Sequence, residues 1–260
     1  MSDYETVKYG QDGAITIITI HRPDAMNSFN TELRRDLLAA FQRAAGDDSV
    51  RAVILTGEGR SFSAGADLKG SLSAEKTVEQ QLQEEYRPVL ECIAEMKQPV
   101  IAAVGGSAAG IGVSYALACD LLIMADNAFL LSPFTTISLL PDGGLNWFLV
   151  HQLGYRRAFQ LSVESERISA DRCVELGLAN KAVPADSLMD EARKWAQALT
   201  ERAPLSIAAT KKAMRHAASN SWASTFDVEA PLQLALRNSE DCEEGVAAFF
   251  EKRKANFTGK

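Results

Sequence analysis

The chain has 260 residues, of which 47% are hydrophobic and 23% charged, with a formal net charge of -7. These are the proportions of an ordinary globular protein with material for a large core. The acidic balance argues against a basic nucleic-acid face, although local basic residues or helix N-termini could still hold an anion. Cys92, Cys119, Cys173 and Cys242 form no CxxC pair and have no histidine at zinc spacing. They read as reduced thiols with no metal site. The opening "MSDYETVKYGQDG" is polar and mixed in charge, unlike a signal peptide, and no apolar run is long enough to span a bilayer, so the expected location is cytoplasmic.

In chain order, "YETVKYGQDGAITIITI" reads as two strands turning at Asp12-Gly13. "NTELRRDLLAAFQRAAGDD" places Leu33, Leu37, Leu38 and Phe41 at helical spacing behind an Asn30 or Thr31 cap. "VRAVILTG" is a buried strand and "GEGRSFSAGADLKG" a small-residue loop. Residues 75–97 have a helical pattern, kinked or interrupted before Pro88. "PVIAAVGG" is a strand, "AGIGVSYALACD" a helix and "LLIMAD" a strand. Short helices follow over 143–178, then a strand at "LANKAVP". From Asp186 the pattern is nearly all helical, with Pro204 and Pro231 expected to separate helices. Alternating strands and helices indicate an α/β fold with parallel pairing. The expected division is a core over 1–185 and a helical region over 186–260.

Two loops and one turn hold the candidate chemistry. "SAGAD" (63–67) and "GGSAAGIG" (105–112) each follow an expected strand. Small residues there either allow tight packing or present backbone N–H groups to a ligand. Two such donors aimed at one oxygen make an oxyanion hole. "LLPDGG" (139–144) sets Asp142 in good turn chemistry, among Leu139, Leu140, Leu145, Trp147 and Phe148. His21, His151 and His216 are scattered, without metal spacing, and read as surface or structural.

Taken together, "HRPDAMNSFN" (21–30), "AVILTGEGRSFSAGADL" (52–68), "KQPVIAAVGGSAAGIGVSYALACDLLIMADNAFL" (97–130), "LPDGG" (140–144), "ERISADRCVELGLANKAVP" (166–184) and "EGVAAFFEKRKANF" (244–257) resemble the enoyl-CoA hydratase/isomerase (crotonase) family. The resemblance covers almost the whole chain in the family's order. It implies a spiral of β-β-α units with a helical C-terminal trimerisation region, working as trimers or dimers of trimers. It implies acyl-CoA thioester substrates, with no cofactor beyond the coenzyme A of the substrate. The enolate oxygen would be held by the N–H groups of Ala66 and Ile111. The family usually has glycine at the second position, and isoleucine would narrow the space beside it. Ala25, Met26, Ala64, Gly65, Asp67, Leu68 and Gly110 would line the CoA-ester site. Lys252 would reach CoA phosphates in concert with a neighbouring subunit.

The departures are informative. Family hydratases place two glutamates over the double bond, where this chain has Ser114 and Phe134. Hydration needs one group to activate water and one to protonate carbon. Isomerase branches carry an acid just after the proline that Pro141 resembles, and Asp142 stands there. Double-bond migration needs one base only, so the expected activity is acyl-CoA isomerisation with Asp142 as the acid/base. Phe134, Leu139, Leu140 and Trp147 are expected to exclude water and raise its pKa. Ser114 could hydrogen-bond substrate or water. Asp67 and Asp120 read as structural, and Glu84, Glu85 and Glu91 as solvated helix charges near the acyl pocket. The alternatives are a hydratase or other lyase drawing an acid from elsewhere, and a catalytically inactive CoA-ester binding protein.

Overall fold

The computed structural model describes residues 4–71 and 76–260. Its first unit is the antiparallel hairpin of β1 (Val7–Asp12) and β2 (Ile15–Ile20), turned at Gly13 with φ 57°. Alternation puts Ile18 and Ile20 fully inside. The helix α1 (Thr31–Gly46) covers this pair with Leu33, Leu37 and Phe41. Asn30 caps it, its side chain accepting from the Leu33 N–H at 2.9 Å.

The next units repeat one plan. A first strand enters a main sheet, a short second strand enters a smaller sheet, and a helical segment follows. The first such unit is β3 (Ala52–Gly57), β4 (Ser61–Ser63), α2 (Leu68–Ser71), α3 (Val78–Gln81) and α4 (Arg87–Glu95). The second is β5 (Val100–Val104), β6 (Ser107–Ala109) and α5 (Ile111–Ala118). The third is β7 (Leu121–Ala125) and β8 (Phe129–Leu131), followed by α6 (Leu145–Leu153) and α7 (Tyr155–Glu164). Then come β9 (Ile168–Ser169), α8 (Ala170–Glu175) and β10 (Lys181–Val183). The main sheet runs β1-β2-β3-β5-β7-β10, parallel from β2 onward, and the smaller one runs β4-β6-β8-β9. This is the expected spiral of β-β-α units. β5 is apolar throughout and β3 is apolar from Ala52 to Leu55, because the main sheet is covered on both faces.

Three expectations need correction. The 57–70 loop contains β4, because Ser61 and Ser63 pair in parallel with β6. The interruption expected before Pro88 is present, as a π turn over Leu82–Tyr86. A wider turn accommodates the proline ring that would otherwise meet the Glu84 carbonyl. Residue 75, the first of that expected helix, lies outside the described residues. The C-terminal helices are α9 (Leu188–Thr200), α10 (Pro204–Ala217), α11 (Trp222–Arg237) and α12 (Glu240–Glu251). Pro204 opens α10 at its first position, but Pro231 does not separate helices. It lies inside α11, which continues through it and forgoes the one bond that Pro231 cannot donate toward Asp227. Finally, Glu85 is not a solvated charge: its side chain is 14% exposed and is paired with Arg34.

α9 lies across the main sheet and buries Leu188, Ala192 and Ala196, whereas α11 buries none of its residues against the rest of the chain. A buried ion cluster ties α10 to the core. Lys211 Nζ reaches Asp120 Oδ2 at 2.8 Å and donates to the Ile93 and Gln98 carbonyls. Asp120 also accepts from Arg215 at 3.0 Å and from the Val100 N–H at 2.8 Å, where β5 begins. Among the described residues, no helix is long and apolar enough to cross a membrane.

Candidate active site

The parallel strands β4, β6 and β8 end side by side, and ligands gather at the carboxyl ends of parallel strands. β4 runs into Ala64-Gly65-Ala66, β6 into Gly110-Ile111, and β8 toward Phe134. Gly65 and Gly110 are where the first two loops touch. A Cβ on Gly65 would stand 2.9 Å from the Ala109 carbonyl oxygen, and one on Gly110 would stand 3.6 Å from the Gly65 Cα. Both have positive φ, 96° and 54°, which glycine adopts without strain. The two candidate donors each follow one of these abutting glycines.

Each donor is left free by its own local structure. Phe29 forms a parallel bridge to Ala66, taking the Gly65 carbonyl at 2.8 Å and the Asp67 N–H at 3.0 Å. The neighbours of Ala66 are thereby used, and the Ala66 N–H points away from Phe29. Ile111 is the first residue of α5, where N–H groups have no partner within the helix. The Gly110 N–H is bonded to the Leu131 carbonyl at 3.0 Å, which fixes the turn that aims Ile111.

The segment 24–26 backs the first loop. Met26 and Asn27 hold positive φ, 52° and 57°, and the Met26 carbonyl accepts from the Ala64 N–H at 2.9 Å. Ala25 and Met26 are half-buried beside it. The buried Asn27 side chain donates to the Glu58 and Ser61 carbonyls, and the Ser63 hydroxyl donates to the Asn27 carbonyl at 2.8 Å. Asp67 pairs with Arg22 at 3.1 Å, in the loop-fixing position expected of it. Leu68 opens α2 and faces outward.

Asp142 joins this group through α5. Ser114, fully buried one turn beyond Ile111, donates its hydroxyl to the Asp142 carbonyl at 2.9 Å, as does the Leu145 N–H at 3.1 Å. Gly143 holds φ 60°, and a Cβ there would stand 2.9 Å from Ile111 Cδ1 and 3.1 Å from Ser114 Cβ. The isoleucine side chain is thus packed against the turn that carries the acid. Asp142 Oδ1 is buried and has no hydrogen-bond partner among the described residues. Burial pushes the carboxyl up to about 6.

The cover of Asp142 differs from the expected one. Leu139, Leu140 and Trp147 are exposed, Leu140 to 69%, and Trp147 stacks on His151 with ring centroids 4.1 Å apart. Residues distant in sequence adjoin the turn instead: Ile111 and Ser114 pack against Gly143, and Tyr86 lines a cavity beside it. Phe134 is buried, and its Cζ lies 3.8 Å from the position of a Cβ on Gly110. A cavity of about 420 Å³ adjoins the turn, lined by Tyr86, Leu82, Leu90, Gly143, Gly144 and Phe148. Sequence reasoning missed Tyr86 and its partner Arg34. The signals were a tyrosine just before the helix-interrupting Arg87-Pro88 and an arginine in the first turn of α1.

Lys252 stands at the end of α12 with φ 54°, exposed, on a helix that packs against α11. Within one chain it is not joined to the two loops by any contact among the described residues. Among those residues there is also no group of three or more His, Cys, Asp or Glu side chains placed to hold a metal ion. The four cysteines are free thiols.

An enoyl-CoA hydratase/isomerase family model matches residues 10–260. The chain is 40% identical to a probable enoyl-CoA hydratase of Rhodobacter capsulatus over 257 residues, covering 99% of each chain. It is 33% identical to the 1,2-epoxyphenylacetyl-CoA isomerase of Escherichia coli over 254 residues, covering 96% of this chain and 97% of that one. Among solved structures, an enoyl-CoA hydratase from a Polaromonas species superposes with a TM-score of 0.92 at 34% identity, over 96% of this chain and 99% of that one. The chain therefore belongs to the enoyl-CoA hydratase/isomerase family of enzymes.

Proposed function

We propose that this enzyme is an acyl-CoA isomerase that moves a double bond through a thioester dienolate, with Asp142 as its single acid and base. The observation that carries the reading is the Asp142 carboxyl: an orphaned, buried oxygen, a pKa near 6, and a turn pinned to the helix that begins at Ile111. A 3-enoyl thioester would lie with its carbonyl oxygen on the Ala66 and Ile111 N–H groups. Asp142 would remove a proton from C2, the electrons would pass to the thioester oxygen, and the protonated carboxyl would return the proton to C4. A group titrating near neutrality suits both halves of that exchange. Ser114 and the apolar Phe134 stand where the resemblance places hydratase glutamates, which leaves water addition without its second acid.

The R. capsulatus relative's name favours the second reading, a hydratase with an acid supplied from elsewhere. Incubation with a 3-enoyl-CoA in deuterated water, followed by NMR and mass spectrometry, separates the two. Conjugated 2-enoyl product that disappears in Asp142→Asn supports isomerisation, and 3-hydroxyacyl product supports hydration. Tight acyl-CoA binding with neither product would fit a binding protein or a ring-bearing substrate.

We also propose that residues 186–260 include the surface for self-association. Trp222, Phe226, Phe249 and Phe250 are exposed on α11 and α12, Trp222 to 80%. Apolar faces of this size are usually covered by a partner. Such packing would bring Lys252 of one copy toward the CoA site of another.

A further inference from the structure

Arg34, in the first turn of α1, is 5% exposed and is unused in the chemistry above. Its guanidinium donates to the Phe29 carbonyl at 3.2 Å, the Tyr86 hydroxyl at 3.0 Å, the Thr31 hydroxyl at 3.0 Å and Glu85 Oε2 at 2.7 Å. Two of these contacts lead to the site. Phe29 is the residue whose N–H and carbonyl hold Gly65 and Asp67 on either side of Ala66. Its carbonyl therefore accepts from both the Asp67 N–H and Arg34. Tyr86 lines the cavity that adjoins the turn after Asp142.

The rest of the network indicates a reason beyond packing. A buried ion pair is a poor way to gain stability when apolar residues could fill the space. Glu85 has a second cation, Lys76 at 3.1 Å, and does not depend on Arg34 for charge balance. Burial pushes the Tyr86 hydroxyl up, opposed by Arg34 and reinforced by Asp142, so it is neutral at working pH with one lone pair occupied by the guanidinium. A planar fork can meet a carbonyl, a phenol and a carboxylate at once, whereas an ammonium is a single point of charge.

We propose that Arg34 is a positioning residue that locks the Phe29 bridge behind the Ala66 donor and the Tyr86 wall of the cavity beside the Asp142 turn into one rigid unit. The proposal rests on Ala66 being an oxyanion donor, but not on the choice between isomerase and hydratase. The probe is a four-carbon 2-enoyl-CoA carrying 13C at the thioester carbonyl, whose infrared band moves to lower frequency when its oxygen accepts hydrogen bonds. Arg34→Met and Arg34→Lys are compared with the parent enzyme, with thermal unfolding recorded for each. The lysine variant retains charge and most of the stem, and serves if the methionine variant does not fold.

The expected result is a clear band shift in the parent that shrinks in both variants. Turnover should fall about 10- to 100-fold with KM changed less than about threefold, as for a donor moved slightly from its place. A parent-like band shift and kcat in a folded variant overturn the proposal, as does a rise in KM alone. Absence of a shift in the parent removes the oxyanion reading itself, and the proposal with it.

Discussion

Replacing Asp142 with asparagine should separate stability from activity. The side chain is nearly unchanged in shape but can neither take up nor deliver a proton. A positioned general base contributes about 10²- to 10⁴-fold, or roughly 3–5 kcal/mol of barrier at 1.36 kcal/mol per decade. Turnover should fall by at least that much while affinity for acyl-CoA is preserved. The folded state should gain. Burial raises the carboxyl from the ordinary 3.8 to about 6, so the folded chain retains a proton over a pH range in which the unfolded chain has lost it. The stability this group supplies is full below about pH 4 and is lost as the pH rises through 6. At 1.36 kcal/mol per pH unit, ionisation then costs the folded state about 2–3 kcal/mol at pH 8. The asparagine variant would escape that cost, so urea unfolding at pH 8 should show it to be more stable than the parent, with the difference vanishing toward pH 4. The parent's kcat/KM should rise through about pH 6 to a plateau, because the base acts ionised. Turnover within tenfold of the parent, or equal stability of the two proteins at pH 8, would refute the reasoning.

Gly143→Ala should strain a φ of 60° and press a methyl group against Ile111 and Ser114. Steady-state kinetics should show kcat reduced more than about tenfold, with a stability loss of about 1–3 kcal/mol. Asp120→Asn should cost about 3–5 kcal/mol in urea unfolding, because Lys211 is left buried without its carboxylate partner and beside the Arg215 cation. Lys211→Met should cost less, since Asp120 retains Arg215 and the Val100 N–H.

Where a feature of this fold is local, the sequence displays it. The Asp12-Gly13 hairpin and the Asn30 cap each depend on residues within a few positions of one another. The two small-residue loops were legible for the same reason, and the structure brings their glycines, Gly65 and Gly110, together. The surroundings of Asp142 were not, because the residues that adjoin its turn come from α5 and the π turn rather than from its sequence neighbours. Leu139, Leu140 and Trp147 look like cover in one dimension and face outward in three. Pro231 misled because a long helix can survive one missing bond. The Arg34 network joins segments about 50 residues apart and has no signature in spacing.

The most direct test of a single carboxyl moving one proton is to follow that proton. A 3-enoyl-CoA deuterated at C2 would be converted in ordinary water, and the 2-enoyl product examined for deuterium at C4. Transfer of label to C4 in a fraction of molecules, abolished in Asp142→Asn, is the predicted result, since the buried Oδ1 is shielded from exchange. Product with no deuterium at C4, with 3-hydroxyacyl thioester accumulating beside it, would contradict the account.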